Sequence, residues 1–326
     1  MPSVWSYRRC MGIYLSAYSS LTYLEREDAL RQPVDVASLA DAECSLHALM
    51  DRESCLQRLG CGRSPVHLLI SSCRKRVVSD WFACSLWPHE VPPGSFVSPV
   101  RGVYVSTPEF CFLQMASRLS RIELVRLGYE LCSTYRFDPS NSRGFAGRRV
   151  LTTRERLLGY LEGAGNAPQA QKAAGALAWV ADGSASPRET ITSMLVSLPS
   201  EMGGREVGMP HLNWEVPAGA GEDGPRRFID LYWPDRRFGL EYDSDLEHAD
   251  PKGMTRDSIR EKEIELKGIR LARVTNAELK TEKGRDLLHK TICRGLGKRY
   301  VEPSERTAYS RRALASLLLA PHHSML

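Results

Sequence analysis

The chain has 326 residues, of which 42% are hydrophobic and 25% are charged, and its formal net charge is +5. These proportions are those of an ordinary globular protein and exclude a fibrous or wholly disordered chain. The length predicts two domains, each able to bury its own core. The mildly positive charge permits a nucleic-acid partner without requiring one.

The sequence carries no signal for a membrane or for secretion. The stretch after Arg8 and Arg9 is interrupted by serine and tyrosine, so it lacks the apolar segment of a secretory signal. No run approaches the ~18 consecutive apolar residues of a membrane helix. We therefore expect a cytoplasmic protein with no membrane partner.

Cysteine is concentrated in the first half: eight of the nine cysteines lie in the first 132 residues, without a paired C-x-x-C spacing. This usage favours reduced, buried thiols. An alternative is a zinc site built from Cys55 and Cys61 with nearby histidines, which are His47, His67 and His89.

The first half predicts a small α+β module over residues 1–148. Thr107 is a helix N-cap, and Pro108 occupies the first helical position. The Pro, Ser, Asn and Gly of residues 138–148 predict a linker to the second domain. The expected elements are weak helices over 1–60, strands near 66–71, 77–86 and 102–106, and helices from 108 and over about 121–134.

The second half, residues 149–326, predicts a mixed sheet flanked by helices. Ser186 begins an S-x-x-E helix start with proline at the first helical position. From there the order is α-β-β-β-α-β-α, within a core of about 184–297. The expected elements are helices over 153–162, 168–181 and 187–198, strands near 211–216, 227–233 and 238–243, a helix over 257–267, a strand over 269–274, a helix over 276–297 and a partly ordered tail over 300–326.

Two of these strands carry acids in apolar surroundings. Asp230 lies inside the apolar run 228–233, and the next apolar run leads directly into Glu241 and Asp243. If the turn between the strands is centred on Asp235 and Arg236, Asp230 faces Glu241. All three acids then share one face of the sheet, since side chains two residues apart point the same way. A shift of one residue would separate them.

Carboxylates held this close raise one another's pKa values, and a divalent cation removes the repulsion. Oxygen ligands on rigid strands suit Mg²⁺ or Mn²⁺. The residues therefore predict a metal site formed by Asp230, Glu241 and Asp243. The alternative is a solvated strand end, with Asp230 paired to Arg226 or Arg227.

Residues 184–280 resemble the branch of the PD-(D/E)XK nuclease superfamily that contains very-short-patch-repair endonucleases. The resemblance lies in five blocks that occur in the family's order. These are Ser186-Pro187-Arg188-Glu189, Asp230-Leu231-Tyr232-Trp233-Pro234, Glu241-Tyr242-Asp243 with His248, Arg256-Asp257-Ser258-Ile259-Arg260, and Gly268-Ile269-Arg270-Leu271-Ala272-Arg273-Val274-Thr275.

The resemblance implies a restriction-endonuclease-like core and a role for each matching residue. Asp230 would be the principal metal ligand, and Glu241 and Asp243 would complete the acidic cluster. His248 would position or activate water, Glu189 would reach the site from the first helix, and Arg256 and Arg260 would contact phosphates. Two departures bear on cleavage: the superfamily lysine is replaced by Asp243, and Ser244 replaces a glycine.

The N-terminal half resembles abortive-infection type IV antitoxins more loosely. The resemblance rests on residues 100–109, on the apolar helix that follows, and on Leu119-Ser120 with Glu123. No helix-turn-helix pattern occurs in residues 1–60, so sequence-specific DNA binding is not assigned to this half. The resemblance implies a protein partner for the N-terminal module.

Together these patterns predict a Mg²⁺- or Mn²⁺-dependent DNA endonuclease, a phosphodiester hydrolase acting in DNA repair or phage defence. The alternative is an antitoxin-like DNA-binding regulator that keeps the nuclease fold without cleavage. A third interpretation is an interaction domain that does not bind nucleic acid.

Overall fold

The computed structural model describes residues 13–26, 32–34, 36, 39, 53–58, 60, 65–76, 80–165, 167, 169–216, 226–243 and 251–320. In two helices part of the description is limited to the backbone, at residues 53, 55 and 251–258.

The chain forms two compact units that are not consecutive in sequence. The first comprises residues 1–131 and 151–178 with 325–326, and the second comprises 132–150 and 179–324. Residues 151–178 thus belong to the first unit, although the boundary predicted at 148/149 assigns them to the second domain. The predicted linker 138–148 lies in a hairpin of the second unit, where the Thr134 amide donates to the Ser184 carbonyl over 2.8 Å.

The first unit contains a six-stranded mixed sheet, ordered β2-β5-β6-β1-β3-β4. Its strands are β1 (Ile13–Leu15), β2 (Pro33–Val34), β3 (Val66–Ile70), β4 (Phe82–Leu86), β5 (Phe96–Val100) and β6 (Val103–Ser106). Its helices are α1 (Ala17–Leu24), α2 (Glu53–Arg58), α3 (Pro108–Met115), α4 (Arg121–Leu131), α5 (Arg154–Gly163) and α6 (Ala170–Leu177).

Helix α3 begins as the sequence predicts: Thr107 Oγ1 accepts from the Phe110 amide and Pro108 follows the cap. Every residue of α3 is buried. The side chain of Glu109, on this helix, accepts a hydrogen bond from Thr152 Oγ1 over 2.6 Å. This contact helps to explain why residues after 150 return to the first unit.

The second unit has the predicted α-β-β-β-α-β-α order. After a hairpin of β7 (Tyr135–Phe137) and β8 (Phe145–Gly147), its elements are α7 (Pro187–Ser197), β9 (His211–Val216), β10 (Arg227–Trp233), β11 (Phe238–Asp243), α8 (Pro251–Leu266), β12 (Arg270–Thr275), α9 (Asn276–Lys280), α10 (Glu282–Leu296) and α11 (Glu305–Leu319). The sheet order is β12-β11-β10-β9. Strands β9, β10 and β11 are antiparallel and β12 runs parallel to β11, so the predicted mixed sheet flanked by helices is confirmed.

Helix α11 replaces most of the predicted tail over 300–326. Ser304 caps it by accepting from the Thr307 amide, and it packs against α7. A Cβ at Gly203 would lie 2.8 Å from Cβ of Leu314, and only glycine fits this close approach. Helix α7 is therefore buried between the sheet and α11, since it also packs against β10.

Helix α8, at 16 residues, is shorter than the ~20 residues that a membrane-spanning helix needs. Within the ranges described above, no helix has both the length and the apolar character required to cross a bilayer.

Candidate acidic site on the four-stranded sheet

The hairpin of β10 and β11 has the register that the sequence predicts. Trp233 pairs with Phe238, and Leu231 pairs with Leu240. The turn between them is a single helical turn over Pro234–Arg236, and Arg237 follows with a positive φ of 46°. Since Leu231 and Leu240 form the last pair of this ladder, Asp230 lies where the two strands begin to separate.

Asp230 uses its side chain, rather than regular pairing, to hold β11. The Tyr242 amide donates to Asp230 Oδ2 over 2.8 Å. On the other side, the ladder with β9 pairs Ile229 with Trp214 and Leu231 with Leu212. Asn213, between those partners, has a left-handed φ of 48°. The sheet is therefore irregular on both sides of Asp230, a feature common beside functional sites.

Glu189 reaches this region from the first turn of α7. Ser186 Oγ accepts from the Glu189 amide over 3.2 Å, and Glu189 Oε2 accepts from the Ala185 amide over 2.8 Å. The side chain therefore helps to fix the start of the helix, as its capping position predicts. Glu189 is also buried, and burial together with the negative charge of Asp230 raises its pKa to about 8.

Glu241 is the most deeply buried acid of β11, at 8% exposure. Its Oε1 lies 2.9 Å from Nη2 of Arg260 but makes no hydrogen bond of normal geometry within the described part of the chain. Burial raises the pKa of Glu241 to about 7; Arg260 lowers it and Asp230 raises it. The pKa of Asp230 is also raised, by burial, against the effects of the Tyr242 amide and Arg260.

The carboxylates of Glu189 on α7, Asp230 on β10 and Glu241 on β11 interact through their charges. We call these three carboxylates the acidic chain. Asp230 is at its centre, because its charge raises the pKa values of both Glu189 and Glu241. Desolvated carboxylate oxygens with raised pKa values fit a hard divalent cation. Among the described residues, Oε1 of Glu241 has the ion pair with Arg260 but no hydrogen bond that a cation would have to replace. In the part of the chain that the structure describes, however, no three His, Cys, Asp or Glu side chains form a ready-made metal site.

Asp243 lies two residues beyond Glu241 at the end of β11 and contacts an arginine of the neighbouring strand, β12. Its Oδ2 is 3.9 Å from Nη1 of Arg273. Nη2 of the same arginine is 3.0 Å from Glu261 Oε2. Arg273 pairs with Glu241 in the parallel ladder, so it lies beside the acidic chain and links Asp243 to α8.

The structure places Arg260 at the acidic chain. Besides Glu241, its Nη2 contacts the Phe228 carbonyl. This position makes it a partner of the carboxylates, and its predicted contact with phosphate stays a prediction. Three other predicted positions lie outside what the structure describes: His248, Ser244 and the side chain of Arg256. The same holds for His47, Cys61 and the side chain of Cys55 in the zinc alternative.

Two contributors were not predicted from the sequence. Asn213 interrupts an apolar strand, and asparagine is among the residues that tolerate a left-handed conformation, so its position was a usable signal. Arg273 belongs to the fifth block of the resemblance, but its contacts could not be predicted, because they depend on the parallel pairing of β12 with β11.

Comparison of the chain with models of known protein families, with curated proteins and with solved structures found no match. The assignment of a function therefore rests on the residues of the site.

Proposed function

We propose that the second unit is a nuclease-like domain that hydrolyses DNA phosphodiester bonds with the help of Mg²⁺ or Mn²⁺. The observation that carries the proposal is the acidic chain of Glu189, Asp230 and Glu241. Three elements hold these carboxylates where burial opposes the ionisation of all three, and the charge of Asp230 adds to this effect for Glu189 and Glu241. In this proposal α7 and the sheet β12-β11-β10-β9 form a restriction-endonuclease-like core.

We assign a different role to each side chain according to its surroundings. Asp230 and Glu241 would hold the cation, with Asp243 completing the set at the end of β11. A bound divalent cation supplies positive charge that neutralises the carboxylates and stabilises charge developing on a phosphate. Glu189, with a pKa of about 8, is suited to exchange a proton near neutral pH. One of its oxygens is held by the Ala185 amide, which leaves the other for this role.

A second candidate is a DNA-binding regulator that does not cleave, and Arg260 favours it. The guanidinium of Arg260 already offsets the charge of Glu241 at 2.9 Å. An arginine in that position can replace a cation electrostatically without supplying its chemistry. The two candidates make the same prediction for DNA binding and opposite predictions for cleavage.

The deciding experiment measures cleavage of single-stranded, duplex, mismatched and branched DNA with Mg²⁺, with Mn²⁺ and with EDTA. We expect cleavage only with a divalent cation. Asp230→Asn should lower it by roughly 10³-fold or more, because the amide keeps the hydrogen bond to Tyr242 but loses the charge that binds a hard cation. Asp235→Asn is the matched control, since Asp235 lies exposed in the adjoining turn.

DNA binding, measured in parallel over a range of salt concentrations, separates the candidates. If the domain is a nuclease, Asp230→Asn should bind DNA as well as the wild type but should not cut it. Salt-dependent binding without cleavage by the wild type would replace the nuclease with the regulator. A protein that neither binds nor cleaves DNA would exclude both.

A further inference from the structure

A second polar cluster of the second unit lies where the first turns of α10 and α11 meet the segment after α7. It surrounds a small cavity, and neither the acidic chain nor the proposed cleavage involves it. Four arginines and two carboxylates line this cavity: Arg205, Arg285, Arg311, Arg312, Glu282 and Asp286. The lining therefore has two positive charges in excess. We call it the arginine pocket.

Three of these arginines are almost completely buried, with exposures of 6% for Arg205 and 8% for both Arg285 and Arg311. Arginine is rarely buried unless its charge is paired. One nitrogen of Arg205 donates to the Leu195 carbonyl and one of Arg285 to the Leu279 carbonyl. In contrast, Nε of Arg205 and both Nε and Nη1 of Arg311 are buried and find no hydrogen-bond acceptor among the residues that the structure describes.

The carboxylates of the pocket do not satisfy these donors. Asp286 approaches Nη1 of Arg311 only to 4.0 Å, which is beyond hydrogen-bond distance. Glu282 is paired at 3.2 Å with Arg312, and the side chains of both are about half exposed. Both acids are more exposed than the arginines whose donors are unfilled, Arg205 and Arg311, and these two arginines also line the cavity.

The pKa values of groups in and beside the pocket are lowered, as expected where positive charges are buried together. Burial lowers the pKa of Arg205 to about 10, and the charges of Arg311 and Arg285 contribute to this, partly opposed by Asp286. His289, on α10, has its pKa lowered to about 4 by burial, Arg205 and Arg311. It therefore stays neutral at physiological pH and offers no relief from the excess charge.

We propose that the arginine pocket is a binding site for the oxygens of a phosphate group. A buried cluster of guanidinium groups with unfilled donors fits the geometry and charge of a phosphate. The beginnings of two 15-residue helices, α10 and α11, lie at the same place and add the partial positive charge of their amides. The proposal does not depend on the acidic site being a nuclease.

The size of the cavity limits what can enter. Its volume is about 20 Å³, which is room for roughly one water-sized group. One or two phosphate oxygens can occupy it, and a nucleobase or sugar must remain outside. The ligand class is therefore a phosphate monoester or inorganic phosphate, presented end-on. A terminal phosphate on a DNA strand and a free phosphate compound are its two sources.

Inorganic phosphate is the first probe, added to the full-length chain at constant ionic strength with chloride as the reference anion. We expect phosphate to raise the melting temperature of the wild type above the chloride value. Arg311→Met should bind phosphate at least about tenfold more weakly, because it removes two unfilled charged donors. Arg294→Gln, which changes an exposed arginine near the end of α10, is the control and should behave like the wild type.

Without phosphate, Arg311→Met should melt at the same temperature as the wild type or higher, because methionine fills the space and removes a repelling charge. If this variant does not fold, ³¹P NMR of inorganic phosphate with the wild type gives a second measurement. A saturable shift of the resonance supports the site. Equal effects of phosphate and chloride, or equal effects on Arg311→Met and the wild type, would overturn the proposal.

Two oligonucleotides that differ only in a 5′-phosphate or a 5′-hydroxyl then distinguish the sources. Tighter binding of the phosphorylated strand by the wild type, lost in Arg311→Met, identifies a strand-terminal phosphate as the ligand. Equal binding of the two strands, together with saturable binding of inorganic phosphate, identifies a free phosphate compound. If both strands bind equally and inorganic phosphate does not bind, the arginine pocket is a structural cluster only.

Discussion

The acidic chain and the arginine pocket of the second unit both bury charges of one sign, but only the acidic chain can neutralise itself. Glu189 and Glu241 have pKa values of about 8 and about 7, so their protonation near neutral pH relieves their repulsion with Asp230. Arg205 has a pKa of about 10 even after burial, so its guanidinium stays charged at neutral pH.

This difference determines how each cluster responds to a ligand. A cation at the acidic chain must compete with protons, so its binding should weaken as pH falls below about 7. An anion in the arginine pocket meets no such competition from the arginines. The acidic chain can therefore remain folded without a ligand, whereas the arginine pocket depends on its own carboxylates or on a bound anion.

After Asp230→Asn, the largest expected effect is that of Glu189→Gln, which separates the two roles of Glu189. Glu189→Gln keeps an oxygen to accept from the Ala185 amide but loses the charge and the titratable proton. If Glu189 only caps the helix, neither stability nor cleavage should change much. If Glu189 instead transfers a proton in a nuclease reaction, metal-dependent cleavage should fall by roughly 10²-fold or more, as is typical when such a group is removed.

A second capping glutamate provides the control for this test. Glu278 accepts from the Thr275 amide over 2.8 Å in a capping box at the start of α9. Glu278→Gln should leave cleavage within about twofold, because the amide keeps the cap. An equal loss of cleavage in the two variants would mean that the effect of Glu189→Gln comes from its helix.

The next effect tests whether the two clusters share a structural support. Helix α10 carries Arg285 at its start and Gly295 near its end. A Cβ at Gly295 would lie 2.4 Å from the ring of Phe238, on the strand that carries Glu241. Gly295→Ala should therefore displace α10 from β11 and lower the free energy of unfolding by about 1–3 kcal/mol.

Urea denaturation measures this change. Gly175→Ala, in α6, is the control, because a Cβ there has open space and should stabilise by about 0.5–1 kcal/mol. We also expect Gly295→Ala to weaken both DNA cleavage and phosphate binding. Loss of only one of them would show that α10 does not support both clusters.

A smaller effect concerns pH. The acids of the chain have higher pKa values when folded than when unfolded, so their stabilisation is fully present below about pH 4.5 and is lost as pH rises through about 8. Without divalent cations, Asp230→Asn should therefore be more stable than the wild type by about 1–3 kcal/mol at pH 8. The two should converge near pH 4, close to the ordinary pKa of an aspartate.

Unfolding by urea in EDTA at several pH values gives this comparison. The difference in the free energy of unfolding between the two proteins cancels the pH-dependent contributions of groups outside the acidic chain, such as His289. Its lowered pKa of about 4 makes stability rise with pH over an acidic window. A constant difference at all pH values would contradict the coupling of the three carboxylates.

Much of the acidic site could be predicted because its elements are local in sequence. Apolar runs flanking the Pro234 turn predict β10, β11 and their register, and Ser186 with Pro187 predicts the start of α7. These signals need only the alternation of a strand or the chemistry of a cap. The convergence of Glu189 on Asp230 required more, and it was expected only from the resemblance to a nuclease.

The rest depended on contacts between distant residues. The hairpin over 135–147 joins the second unit through the Thr134–Ser184 hydrogen bond, which spans 50 residues. The arginine pocket unites Arg205, Arg285 and Arg311 from three separate segments, so no local pattern reveals it. Helix α11 was missed for a different reason: its Ser304 cap is a visible signal, but its apolar side depends on α7 as a partner.

The smallest effect tests the irregular strand beside Asp230. Asn213 has a φ of 48°, which glycine adopts freely and a β-branched residue adopts only under strain. Asn213→Gly should change the free energy of unfolding by less than about 0.5 kcal/mol, and Asn213→Val should lower it by about 1–3 kcal/mol. Urea midpoints of the two variants give the comparison.

The same pair of variants indicates how the acidic chain is built. If the left-handed residue holds β9 away from Asp230, valine should favour regular pairing there and disturb the carboxylate, so metal-dependent cleavage should fall more than stability explains. Phosphate binding in the arginine pocket should stay unchanged, since that pocket is built on helix ends. Equal stability of the glycine and valine variants would mean that the irregularity of β9 does not position Asp230.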